Sequence, residues 1–218
     1  MERKFDEELT NLKEKLMQMA TLAEESIALA VRSLKERNQD HAQQVFKIEE
    51  TLNVLDIEID NLGMRLFALR QPMASDLRLI TSSMRIAVEL ERIGDLAVNI
   101  AERSLELLKQ PPLKPLIDIP RMAEIAQQMV KDAIDAFVNK NDKLAKSVCE
   151  RDDEVDDLND QIFRELLTYM MQDPKTIEKA VELILVGRHL ERIADHATNI
   201  GEDVIYFVKG KTIKHHCA

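Results

Sequence analysis

Residues 89–100 read ELERIGDLAVNI, and residues 189–200 read HLERIADHATNI. Glu91, Arg92, Ile93, Asp95, Ala97, Asn99 and Ile100 return one hundred positions later as Glu191, Arg192, Ile193, Asp195, Ala197, Asn199 and Ile200. The register extends upstream, where Asp56 and Asp60 are matched by Asp156 and Asp160. Solenoid repeats have periods of roughly 20–50 residues, so a spacing this long marks a duplicated domain. In each copy the carboxylates fall at i and i+4, which puts both members of a pair on one helical face.

Composition narrows the class. The 218 residues include 5 Gly, no Trp and 4% aromatic residues. With Leu, Ile, Ala, Glu, Lys and Met abundant, that profile predicts an all-α protein. Hydrophobic residues make up 45%, enough to sustain a core. A net charge of −10 argues against nucleic acid and against general affinity for anionic lipid. Met1 to Phe5 leads straight into an amphipathic pattern, and no apolar run approaches the ~18 residues of a membrane span. With two cysteines, Cys149 and Cys217, the expectation is a cytoplasmic chain with a free, buried Cys149. The tail His215-His216-Cys217 has metal-ligand chemistry, but reads more simply as a tail.

Four of the six prolines, Pro111, Pro112, Pro115 and Pro120, fall in one short stretch that cannot continue a helix. The expected organisation is a first domain over 1–109, a Pro-rich linker over 110–118 and a second domain over 119–212. In the first copy Phe5, Leu9, Leu12, Leu16, Met19 and Ala23 follow helical spacing up to a break at Arg37-Asn38-Gln39, with Asp40 as the expected cap. Val45, Ile48, Leu52, Leu55, Ile59, Leu62, Leu66 and Leu69 form the next seam. Pro72 ends it, and Ser75 or Asp76 is placed to cap a third helix bearing Leu77, Ile80, Met84 and Ala87. The second copy breaks at Asn141-Asp142 and at Asp173-Pro174. The fold expected is two pseudo-symmetric three-helix bundles, six long antiparallel helices in all.

The third seam runs on to Glu91 and then to Gly94, Val98 and Ala101. In the second copy it reaches Glu191, then Ala194, Thr198 and Gly201. A carboxylate thus stands at a core position twice, with small residues beside it that suggest room is needed there. Asp95 and Asp195 lie one turn further on beside the same stripe, and the pairs Asp56/Asp60 and Asp156/Asp160 flank the seams of the second helices. Carboxylates crowded in a half-buried site require a cation. Arg92, Arg192, Arg65, Arg85, Arg103 and Lys146 offer one form of compensation; a metal offers the other. Oxygen-only donors favour hard cations, among them Mg²⁺, Mn²⁺, Ca²⁺ and iron, over structural zinc.

Enzymatic readings find little support. A ferritin-like oxidase needs Glu-x-x-His on two helices, and no glutamate here has a histidine three residues later. His189 and His196 have Glu89 and Leu96 as counterparts, so they lie outside the shared plan and read as surface or interface residues. Gly-rich phosphate loops, nucleophile elbows and Cys-x-x-Cys pairs do not occur. The segment Arg70 to Arg78, RQPMASDLR, is not reproduced in the second copy and reads as a docking corner that presents Arg70 and Arg78 to a partner.

RQPMASDLRL at 70–79, ELERIGD at 89–95, LLTYMMQD at 166–173, LERIAD at 190–195 and YFVKGK at 206–211 together resemble the PhoU family of bacterial phosphate-signalling proteins. The resemblance covers nearly the whole chain and implies paired three-helix bundles. It implies that Asp56, Asp60, Glu91, Asp95, Asp156, Asp160, Glu191 and Asp195 match motifs that hold multinuclear metal clusters in some members. Iron, manganese, magnesium and zinc are the candidate occupants. It also implies a non-enzymatic negative regulator of the phosphate regulon, acting between the phosphate ABC transporter ATPase and a sensor histidine kinase. Such a protein would be a homodimer that touches the membrane only through those complexes. The alternatives are a carboxylate-bridged oxidase or storage protein, and a purely structural helical adaptor. The alanine in LERIAD, where the family often has glycine, is a small departure.

Overall fold

The computed structural model describes residues 2–70 and 72–211, apart from the side chains of Glu2, Arg3 and Arg70. Every regular element among them is helical. The first copy comprises α1 (Glu2–Glu36), α2 (Gln39–Arg70) and α3 (Ala74–Leu108). The second comprises α4 (Asp118–Asn139), α5 (Asp142–Glu150), α6 (Asp152–Gln172), a 3-10 turn at Pro174–Thr176, and α7 (Ile177–Lys209). The proline stretch between α3 and α4 carries no helix. α1, α2 and α3 pack on one another, α4 to α6 pack around α7, and the α3–α7 and α1–α4 contacts join the copies.

The seam residues behave as their spacing requires. Val45, Leu52, Ile59 and Leu66 are fully buried, as are Ile80, Ala87 and Ile93. Leu69 and Leu77, at the ends of their stripes, are exposed instead, because the bundle stops there. Caps differ from expectation by a residue or two. Asn38, not Asp40, accepts the backbone N–H that opens α2, at 2.9 Å from Asp40 N. α3 begins at Ala74, so neither Ser75 nor Asp76 caps it. Arg37 and Lys140 hold the corresponding left-handed positions after α1 and α4, with φ of 54° and 52°. Arg37 also donates to the carbonyls of Leu108 at 2.8 Å and Gln110 at 2.7 Å, which ties the end of α1 to the end of α3.

The six-helix plan has one interruption, at Arg151, where α5 gives way to α6. Eighteen residues separate Asn38 from Asp56, but only fifteen separate Asn141 from Asp156. Losing three residues from a continuous helix would turn everything downstream by roughly 300°. The break absorbs that rotation, and α6 still presents its carboxylates to α7. Arg151 anchors the break by pairing with Asp132 of α4 and donating to the Ser147 carbonyl.

The small residues near the carboxylates serve packing. A Cβ on Gly94 would meet Leu52 Cδ1 at 2.5 Å, and one on Gly187 would meet Asn159 Oδ1 at 2.9 Å. A Cβ on Gly201 would meet the backbone oxygen of Ala145 at 3.0 Å. The room is taken by neighbouring helices.

Candidate metal centres

In the first copy, Asp56 on α2 lies near Glu91 on α3, with Asp60 and Asp95 one turn further along their own helices. Asp56 and Glu91 are half-buried, while Asp60 and Asp95 are exposed. Burial pushes both Asp56 and Glu91 above the usual carboxylate range. Repulsion from Asp60 adds to the effect on Asp56, and repulsion from Asp95 and Asp56 adds to that on Glu91. Among the described residues, none of these four carboxylates forms an ion pair. The expected arginine partners are engaged elsewhere. Arg92 lies 3.8 Å from Glu89, Arg85 lies 3.2 Å from Asp203 and Arg103 lies 3.3 Å from Glu182. Arg65 reaches Glu8 at 4.0 Å.

The second cluster is larger. Asp156 on α6 faces Glu191 and Asp195 on α7, with Asp160 one turn further along α6, and Asp152 in the first turn of α6 joins them. Glu191 accepts from Arg188 at 2.8 Å and from Asn159 at 2.7 Å. Lys146, expected to reach over, pairs with Glu150 on its own helix. Burial lifts Asp156 and Glu191 above the ordinary range; Asp195 pushes both further, and Arg188 partly offsets the effect on each. Asp152 is raised most, to about 6, by burial and then by repulsion from Asp195 and Asp156. Sequence comparison between copies misses Asp152, since its counterpart at the same spacing is Leu52. The extended series Asp152, Asp156, Asp160 carries the signal.

That elevated value has a sign. The unfolded chain loses this proton near pH 4 and the folded one near pH 6, so metal-free stability falls across that interval and levels off above it. Asp152→Asn in chelator is therefore expected to raise the Tm at pH 7.5 by ~2–4 °C, after discounting for solvent screening. At pH 4 the substitution should leave the Tm unchanged, and thermal melts at the two pH values measure the difference.

Between the copies, His196 Nδ1 of α7 lies 2.6 Å from Glu89 Oε2 of α3, and Asn199 donates to the same oxygen at 3.2 Å. Burial pushes Glu89 up, but these hydrogen bonds and the nearby His196 and Arg92 outweigh it and hold the carboxyl below its ordinary range. His196 is thus an interface residue. At the bundle end, Arg78 Nε donates to the carbonyl of Phe207 at 3.3 Å, in the last turns of α7. Arg78 therefore contributes to holding α3 against α7. The Arg70 side chain and the His215-His216-Cys217 tail lie outside the described residues.

The PhoU domain model matches residues 16–104 and again 119–204, one copy per bundle. The chain belongs to the PhoU family. A relative from Aquifex aeolicus, described as a phosphate-specific transport system accessory protein PhoU homolog, is 44% identical; the match covers 97% of this chain and 96% of the relative. A relative from Caulobacter vibrioides with the same description is 41% identical over 97% and 92%. The crystal structure of PhoU from Pseudomonas aeruginosa superposes with a TM-score of 0.91 at 39% identity, covering 95% of this chain and all of that one. The phosphate transport system regulatory protein PhoU from Streptococcus pneumoniae gives 0.88 at 27% identity over 96% and 99%.

In donor chemistry, both PhoU repeats suit a hard cation. Each offers oxygen donors from two adjacent helices, where burial and then repulsion raise Asp56 and Glu91 in the first and Asp152, Asp156 and Glu191 in the second; among the described residues no ion pair neutralises the first. Among the described residues, no three Asp, Glu, His or Cys side chains converge on a single point. Metal binding would therefore require carboxylates to rotate toward a shared ion. An ion bound there would supply the missing positive charge and bridge two helices of one bundle.

Proposed function

We propose that this PhoU-family chain is an accessory protein of a phosphate transport system that restrains uptake and the phosphate regulon when phosphate is plentiful. The full-length match to relatives described as phosphate-specific transport system accessory proteins carries this reading. It works without catalysis, as a cytoplasmic adaptor between the transporter ATPase and a sensor histidine kinase, and as a homodimer. Its helical surfaces provide the contacts, and Asp56, Asp60, Glu91, Asp95, Asp156, Asp160, Glu191 and Asp195 hold metal, with Asp152 beside them. No helix among the described residues is long and apolar enough to cross a membrane, which fits contact with membrane complexes from outside the bilayer. Arg70 remains the candidate docking side chain at the corner, while Arg78 combines any such role with its bond to α7.

Gene deletion tests the reading. In phosphate-rich medium the deleted strain is expected to express a phosphate-starvation reporter at the level normally seen in starved cells, and the plasmid-borne chain should restore repression. Unaltered repression after deletion would contradict the proposal.

A further inference from the structure

Phe163, Leu167 and Met171 recur every four residues along α6, yet they remain 48%, 43% and 79% exposed. Ile177 and Val181, one turn apart on α7, are 46% and 42% exposed. The tight connection at Pro174–Thr176 makes the two helices antiparallel. Contact of Gly187 with Asn159, and the Asn159–Glu191 hydrogen bond, fix their register. α6 beyond Asn159 therefore runs beside α7 before Gly187. The two apolar sets border one groove at the hairpin end, and Asp152, Asp156, Glu191 and Asp195 border its other half.

We propose that this α6–α7 groove docks an amphipathic helix of a protein partner, with an apolar stripe over one half and Lys or Arg over the other. A helix lying in a groove between two helices is an established mode of recognition, anchored by residues at i, i+3 or i+4 and i+7. From Asp152 to Met171 the groove runs about 28 Å, the length of a helix of ~19 residues. Charge selects the occupant. In the metal-free protein the acidic half has Arg188 as its one close ion-pair partner among the described residues, so it attracts cations and repels anionic lipid. A second copy of this chain, carrying the same acidic half and a net charge of −10, is disfavoured for the same reason. The first copy repeats the order of chemistry: beyond Asp60 and Glu91 it exposes Met64, Leu69, Met73, Leu77 and Val88.

The probes are two synthetic 20-residue helices of identical Leu, Lys and Ala content. One has leucines along a stripe in one half and lysines along the same stripe in the other; the second has the same residues scattered around the helix. Titration of the full chain in chelator, read by fluorescence anisotropy, makes the result independent of metal. The segregated peptide should bind at least about tenfold more tightly, and more weakly as salt rises. Phe163→Ser with Leu167→Ser should remove that advantage without changing the circular dichroism. Met171→Ser, at a site too exposed to affect folding, should weaken binding in the same direction. Asp152→Asn with Asp156→Asn should flatten the salt dependence. Equal binding of the two peptides, or binding indifferent to these variants, would overturn the proposal. So would concentration-dependent dimerisation abolished by the double Ser variant, which would make a second copy the occupant. Capture by phosphatidylglycerol vesicles that is lost in that variant would equally overturn it in favour of a membrane.

Discussion

Replacing Glu91, Asp95, Glu191 and Asp195 together by alanine is expected to abolish metal uptake by protein purified without an affinity tag. Either pair alone should remove about half, because the duplication builds one cluster per bundle. The reason is electrostatic. Glu91 and Glu191 are half-buried beside like charges, and burial already favours their protonated forms. A divalent cation reverses that penalty for several carboxylates at once; among the described residues Arg188 does so in part at Glu191 and Asp156, and Arg92 in part at Glu91. Plasma emission spectroscopy after dialysis against manganese, iron or magnesium reads the stoichiometry. Full retention of metal by the fourfold variant would remove these side chains from the account. A variant that binds no metal, melts higher than the parent and still represses the regulon would show that metal at these carboxylates is dispensable for repression and that they strain the fold.

The second large effect concerns stability. Gly201→Val is expected to lower the Tm by roughly 6–12 °C, the equivalent of ~3 kcal/mol in a chain of this size. A Cβ there already meets the Ala145 carbonyl oxygen at 3.0 Å and Cys149 Sγ at 3.4 Å, and valine adds two more carbons. The obstacle is backbone, so α5 would have to move away from α7 rather than a side chain rotate. Thermal denaturation followed at 222 nm measures the loss. An unchanged Tm would mean that α5 is loosely held and that the break at Arg151 leaves it free to shift.

Much of this architecture is legible in the sequence because its signals are local. The eight-residue seam from Val45 to Leu69 and the clustered prolines mark helices and linker without reference to any distant contact. The four carboxylate pairs stand out because the duplication writes them twice. What escapes the sequence depends on the space between helices. Asp152 has no acidic counterpart at the repeat spacing, and it enters the cluster only because the break at Arg151 brings the start of α6 beside α7. Gly94 and Gly201 suggest that room is needed beside Glu91 and Glu191, yet the space they leave holds Leu52 and the α5 backbone. Arg78 reads as a free docking residue until its bond to the Phe207 carbonyl is seen. The arginines expected to neutralise the clusters illustrate the same limit: sequence proximity does not say which way a guanidinium points, and Arg92 turns to Glu89.

Anomalous diffraction from crystals of the untagged chain grown with manganese tests the duplicated metal centres most directly. Peaks are expected in two places, between α2 and α3 beside Glu91 and between α6 and α7 beside Glu191. Data of adequate signal with no peak at either position, or with peaks only at other surface carboxylates, would contradict that expectation.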